Sequence, residues 1–512
     1  MMTIQIRSKR PIDQNTPAYI TMRQALTRLK AKDFTLWGKA AEAETSIRLD
    51  WIDLPNRSKE LLPELDKVED FLAKNRLSHL ILCGMGGSSL GPEVLAKTFS
   101  KQLVCIDTTD PDQLLHNTPE DLTHTAVIVG SKSGGTAETS SQKEYFVSKL
   151  ESQGLDPKNH LIIVTDPGSP FDKDCRAKNY FVINANPNIG GRFSVLSAFG
   201  LVPAAAMVID VAALLDEAEK AEATFTTDDS PALHLAAAIL QYGNQILSMS
   251  DAGTSVPGIA DWIEQLIAES TGKEGVGFLP IAIPTSHSPA GADGLKIGFS
   301  IGGDEDIVVE ASLGEHFILW EWATALLGIP MQINIFDQPN VQEAKTSALA
   351  LLDKWKAEVP SITSDAQFGS VQVFGAIGDS LRDILLSFFK ETQRYSAVMA
   401  YLARGVDDSI LSVQNQISII NAKPTSFGWG PRFLHSTGQF HKGGQPNGSF
   451  LVITGENRSD VAIPGKDYSF HTLLMAQGIG DYNALKAKNL HAIRLHLTDR
   501  AKGIAELLQA LN

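Results

Sequence analysis

Two short stretches set glycines and hydroxyls between an apolar run and an amphipathic one: GMGGSSLGP, Gly84 to Pro92, and VGSKSGGTAETSS, Val129 to Ser141. A helix N-terminus carries unpaired N–H groups and the positive end of the helix dipole, and glycine lets an anion come close to the backbone. Two such turns at the ends of neighbouring strands predict an anion site. A dinucleotide fingerprint fails at its third position, Ser89, and no G-x-x-x-x-G-K-[ST] occurs, so the expected anion is a single phosphate. Taken singly, either loop also reads as a plain helix-capping turn of any α/β protein.

Further along, NIGGRFSVLSAFGL holds Arg192 between a glycine pair and an apolar helix, as a fixed charge toward a pocket at the strand ends or as a surface ion pair. QLIAESTGKEG ends an amphipathic helix with Glu269, a carboxylate for base chemistry if enclosed and a solvated charge otherwise. FDQPNVQEAK brings Gln338 and Lys345 around a helix start, and FLHSTGQFHKGG carries His435 and His441 at even spacing in a strand-like approach. No third metal ligand lies near those histidines and the glycines break the strand, so no metal is expected.

The elements that must position these residues alternate. From Ser78 onward LSHLILCG, LVCID, TAVIVGS, HLIIVTD and YFVIN are short apolar runs separated by helical segments, which predicts an α/β fold with doubly wound, mostly parallel sheets. We divide the chain into an N-terminal helical segment, 1–59; a first α/β unit, 60–220, with both loops and Arg192; a second, 230–355, with Glu269 and Lys345; and a C-terminal unit, 360–512, with His435. FLPIAI, LKIGFSI and QINIF are the strand candidates of the second unit. The third repeats the order more faintly: a helix pair, GPRFLHSTG, the strand SFLVITG, a helix, and the strand AIRLHL. An internal repeat and an unrelated αβ tail both fit that pattern.

A chain of 512 residues with 43% hydrophobic and 20% charged residues has the composition of an ordinary globular protein. Its formal net charge of −15 and lack of a dense basic tract argue against nucleic acid as a partner. Cys83, Cys105 and Cys175 show no CxxC spacing, the opening residues lack a signal-peptide core, and no run is long enough to span a bilayer. The expectation is a cytoplasmic protein without a membrane partner.

Together these pieces resemble the phosphoglucose isomerase (glucose-6-phosphate isomerase) family, built from sugar-isomerase (SIS) domains. GMGGSSLGP, SKSGGTAETSS, GGRFSVLSAFGL, AESTGK and FDQPNVQEAK are similar to five family signatures, in family order, over residues 84 to 345. The tail and LWGKAAEAETSIRLDWIDLP look most like the isomerase half of transaldolase/phosphoglucose isomerase fusions, whose transaldolase barrel has no counterpart in this sequence.

The resemblance implies a sugar-phosphate substrate and no cofactor. Gly87, Ser88, Ser131, Lys132, Ser133 and Thr136 would hold the phosphate. Glu269, in a pocket that raises its pKa toward neutrality, would move a proton between C2 and C1 through a cis-enediol. Arg192 would offset the enediolate charge, and a histidine with Lys345, and Gln338 alongside, would open the ring.

In the family the histidine lies between the glutamate and lysine signatures and comes from the neighbouring subunit of a dimer. Here that interval offers His287 and His316, the latter in a helix, yet LHSTGQ around His435 is closer to the HS-x-G-Q motif of some bacterial members. The expectation is that the C-terminal unit delivers His435 in cis, favouring a monomer over a homodimer. The competing readings are an isomerase for another C6-anionic sugar and a non-catalytic sugar-phosphate sensor.

Overall fold

Strands enclosed between two helical layers are apolar on both faces, and five such runs make the first sheet of the computed structural model, which describes residues 4–300, 303–356 and 358–512. Its spatial order is Val104–Ile106, His79–Cys83, Thr125–Gly130, Leu161–Thr165 and Phe181–Asn184, all parallel. Every residue of Thr125–Gly130 is buried. The chain leaves His79–Cys83 in one direction to reach Val104–Ile106 and lies on its other side at Thr125–Gly130. The strand order therefore reverses between His79–Cys83 and Thr125–Gly130, where an open α/β sheet leaves a ligand crevice. Both glycine-serine loops leave that reversal point.

The second sheet runs Gln5–Ser8, Ile307–Glu310, Leu295–Gly298, Ile246–Ser250, Leu279–Ala282. Only the Gln5–Ser8 pairing is antiparallel. The segment expected to be purely helical thus contains an edge strand before its helix Pro17–Lys30; residues 1–3 of that segment, and Ile301 at the end of LKIGFSI, lie outside the described residues. Helix Ile259–Thr271, which ends with Glu269 near its last turn, packs on helix Leu313–Met331, buried from Leu313 through Ile329.

QINIF is not a strand. Gln332 turns left-handed at φ 54° and ends helix Leu313–Met331. The carbonyls that a strand would give to a neighbour are taken by two cations instead: Lys273 Nζ binds those of Asn334 and Asp337, and Arg192 Nη2 those of Ile335 and Asp337.

The third sheet is larger than the sequence pattern suggested. A hairpin, Ala366–Phe368 and Val371–Phe374, precedes the expected helix pair, Leu381–Lys390 and Ser412–Asn421, and its second strand pairs antiparallel with His491–Leu497. Gly448–Gly455, Tyr395–Ala400 and Thr425–Trp429 follow, all parallel. The GPRFLHSTG segment is also not a strand: Arg432–His435 is a 3₁₀ turn and Gly438–Gly443 a short helix. Side chains here are committed to other units, Arg432 to Glu93 and Gln439, just after the segment, to Gly272 O and Asn340, which pulls the backbone out of any ladder. Among the described residues no helix is long and apolar enough to cross a membrane.

Candidate active site

Each phosphate-type loop runs from a strand into a helix. After Cys83 a 3₁₀ turn, Gly86–Ser88, leads to helix Leu90–Thr98; after Gly130, residues 131–136 lead to helix Ala137–Ser152. The strands are in register with Cys83 beside Val129, so the two helix N-termini open side by side. Thr136 is the N-cap of its helix, yet its hydroxyl makes no capping bond. Ser131 Oγ and Ser133 Oγ accept the N–H groups of Gly134 and Gly135, which shapes the loop. At Gly87 a Cβ would lie 1.9 Å from the carbonyl oxygen of Gly191, so glycine is what lets the Arg192 turn approach the first loop.

These loops form one wall of a cavity of about 240 Å³ to which Gly87, Ser88, Ser131, Lys132, Ser133 and Thr136 all contribute. Arg192, Glu269, Gln338 and His435 line the rest of it. Of the sequence-predicted residues only Lys345 stands outside. It is half-buried on helix Pro339–Trp355 and lines a smaller adjoining cavity that shares Thr136 and His435 with the first. Lys132 contributes its backbone more than its charge: the ammonium reaches Asp166 and the carbonyl of Ile189, and burial lowers its pKa.

Glu269 and Arg192 are both buried, with Glu269 Oε1 2.9 Å from Arg192 Nη1. The pair sets the carboxylate against a permanent positive charge inside the protein. The same guanidinium donates to Gln338 Oε1 at 3.0 Å and Ile335 O at 2.8 Å, so it is fixed from three sides. Gln265 Nε2 donates both to Glu269 Oε2 and to His435 O, tying helix Ile259–Thr271 to the histidine turn.

His435 Nε2 lies 3.1 Å from Glu138 Oε1, which also accepts from Gln477 Nε2 at 2.8 Å. Burial alone would push the Glu138 carboxyl up; the His435 hydrogen bond and charge hold it down at about 2. His287 is exposed and bonds only its neighbour Ser286, while His316 is sealed in helix Leu313–Met331, where burial lowers its pKa to about 3. His441 faces away and meets the Tyr395 hydroxyl at 3.1 Å.

Sequence reasoning missed Glu138, Gln265, Lys273 and Gln477. Glu138 sits inside SKSGGTAETSS, but an acidic residue in a helix's first turn already has a dipole explanation. Lys273, in AESTGK, anchors the Asn334–Asp337 turn, and its pKa is lowered to about 8 by burial and by Arg192.

Parallel sheets, a crevice at the reversal point and two hydroxyl-rich helix N-termini define an SIS-type α/β fold. A hypothetical protein of Thermus thermophilus shares it: its crystal structure superposes with a TM-score of 0.57 and 24% identity, over 68% of this chain and 100% of that one. Residues 67–274 match the family model of phosphoglucose isomerase. The glucose-6-phosphate isomerase of Rippkaea orientalis is 34% identical over 246 residues, 42% of this chain and 46% of that protein. That of Thermus thermophilus is 32% identical over 246 residues, 46% of this chain and 58% of the relative. The probable glucose-6-phosphate isomerase of Methanococcus maripaludis is 26% identical over 379 residues, covering 60% and 85%. The chain spans about half the length of the first curated relatives it matches. Residues 67–274 are thus similar to the phosphoglucose isomerase family.

Proposed function

We propose that the protein is a glucose-6-phosphate isomerase, interconverting glucose 6-phosphate and fructose 6-phosphate by proton transfer. The observation that carries this reading is the buried Glu269–Arg192 pair in the same cavity as both hydroxyl-rich loops and His435. The loop amides and the hydroxyls of Ser88, Ser131, Ser133 and Thr136 hold the phosphate. His435, oriented by Glu138, exchanges a proton with the ring oxygen, with Lys345 and Gln338 nearby, and the chain opens. Glu269 then takes the proton from C2 and returns it to C1. Charge grows on the enediolate oxygens beside Arg192, a fixed guanidinium that needs no reorganisation.

The ring-opening histidine comes from the C-terminal unit of the same chain, a reading supported by the His435–Glu138 contact within one chain. A monomer is then sufficient. Three buried cysteines without disulfides support a cytoplasmic setting.

Glu269→Gln tests the proposal. Isomerisation and exchange of solvent deuterium into fructose 6-phosphate should fall together by about 10²- to 10⁴-fold, the range of a lost general base. A variant that still exchanges at the wild-type rate would remove Glu269 from the chemistry, and a wild-type protein that binds sugar phosphate without exchange would be a sensor.

A further inference from the structure

Arg192, Arg432, Arg494 and Arg500 are the deeply buried arginines among the described residues. Three of them face carboxylates: Arg192 has Glu269, Arg432 has Glu93, and Arg500 has Asp110. Arg494 is different. It is 3% exposed, and among the described residues no carboxylate lies within ion-pair distance of it. Its guanidinium stacks 3.6 Å from the centre of the Phe374 ring and donates to Thr454 Oγ1 at 3.2 Å. Burial lowers its pKa to about 10. A charge removed from water without a counter-ion costs several kcal/mol by order of magnitude, so such a group calls for an anion.

Arg494 stands on the floor of a cavity of about 540 Å³ in the C-terminal unit, within the size range of small-molecule sites. The sheet register sets Phe374 opposite Arg494 and Gln372 opposite His496, and these four residues line the cavity. His496 Nδ1 meets the same Thr454 hydroxyl at 3.1 Å, which draws the imidazole and the guanidinium together. His471, at the start of helix Phe470–Ala487, lines the opposite wall. Three carboxylates also face the cavity, Glu358, Glu456 and Asp460, and all three residues are exposed, at its rim. Glu456 lies against both imidazoles, 3.2 Å from His496 Nε2 and 3.7 Å from His471 Nε2.

Basic groups on the floor and acidic groups at the rim select a ligand with two unlike ends. The floor wants an anion, and the rim wants hydrogen-bond donors. We propose that this cavity is a second ligand site, binding the phosphate ester of a small polyol with its phosphate on Arg494 and its hydroxyls on the rim carboxylates. It lies apart from the candidate active site. Met475 and Ile479 of helix Phe470–Ala487 face it, whereas Leu473 and Gln477 of that helix line the small cavity beside His435.

The test titrates the full-length protein with inorganic phosphate and with glycerol 1-phosphate, by calorimetry and by NMR of the histidine ring protons. Wild type should take up two equivalents of glycerol 1-phosphate, one in each site. Thr136→Val should retain the Arg494 site, and Arg494→Met should retain only the other. The rings of His471 and His496 should shift on titration of wild type and stay still in Arg494→Met. Methionine keeps the stack on Phe374, and the wild-type spectra decide the matter even if that variant fails to fold. Glycerol 1-phosphate should bind this site about tenfold more tightly than inorganic phosphate, the worth of one or two hydrogen bonds. Unmoved His471 and His496 resonances in wild type, or two equivalents in Arg494→Met, would overturn the site, whereas one equivalent with both rings shifted would instead count against the candidate active site. Equal affinity for the two probes would overturn the polyol assignment.

Discussion

Glu138→Gln asks how the His435 imidazole, proposed to open the ring, is held. The carboxylate is 5% exposed and lies 3.1 Å from His435 Nε2 and 2.8 Å from Gln477 Nε2. Burial pushes a carboxyl up, so a fall from 4.5 to about 2 records attraction strong enough to exceed that penalty. A displacement of that size corresponds to about 3 kcal/mol. Glutamine keeps the shape and removes the charge, exchanging a charge-assisted hydrogen bond for a neutral one. About 1.5 to 3 kcal/mol of imidazole positioning is lost, or about 10- to 100-fold in rate where that imidazole acts.

The loss should be selective. Turnover of glucose 6-phosphate, mostly a closed ring, should drop by that factor, whereas deuterium exchange at C2 of a four-carbon aldose 4-phosphate, which is too short to cyclise, should stay near wild type. Equal losses on both substrates would refute the ring-opening role, and no loss on either would refute the positioning argument. Stability supplies a second reading. A carboxyl whose folded pKa is depressed contributes stability above its unfolded value and loses it as pH falls through the folded one. The urea-melt difference between wild type and Glu138→Gln should therefore shrink as pH falls from about 5 toward about 2.

Gly87→Ala puts a methyl 1.9 Å from Gly191 O, a backbone atom that must move and take the Arg192 turn with it; kcat/KM should fall about 100-fold, with a lower melting temperature. Arg192→Lys keeps a charge but cannot serve Glu269, Gln338 and Ile335 O at once, so steady-state kinetics should show kcat down about 10²- to 10³-fold. Thr136→Val removes a hydroxyl that caps nothing, and initial-rate measurements should show KM for glucose 6-phosphate up about 5- to 10-fold with kcat nearly unchanged.

The parts of this site legible in the sequence are those that obey local rules. A strand, a glycine-hydroxyl turn and a helix are adjacent in the chain, so both loops and the anion preference of their helix N-termini follow from residues 79 to 152 alone. Glu269, Arg192 and Gln338 stand out in their motifs, but their burial and mutual contact depend on long-range packing that no spacing encodes. The misread elements fail for a common reason. QINIF and GPRFLHSTG have strand-like composition, yet their backbones are claimed by Lys273, Arg192 and interunit side chains, which override local propensity. The strands Tyr395–Ala400 and Thr425–Trp429, YSAVMA and TSFGW, are hard to read because each is short and lacks a sustained alternation of apolar and polar residues to distinguish it from a helix segment.

The C-terminal unit's orientation decides where His435 points, and buried charges set that orientation. Arg432 joins Glu93 and Asp107, Arg404 reaches the same pair, and Arg500 spans Asp407 of its own unit and Asp110 and Asp112 of the first. Such pairs give little net stability, because desolvation offsets most of their attraction, but separating them leaves uncompensated charge in the interior. They therefore penalise misplaced docking more than they reward docking itself. Arg432 and His435 share one 3₁₀ turn, so the residue that locks the interface and the residue that meets Glu138 move as one piece. Holding an imidazole to within hydrogen-bonding reach of a carboxylate 297 positions away requires that kind of constraint, and an apolar interface of the same area would tolerate sliding that this one does not.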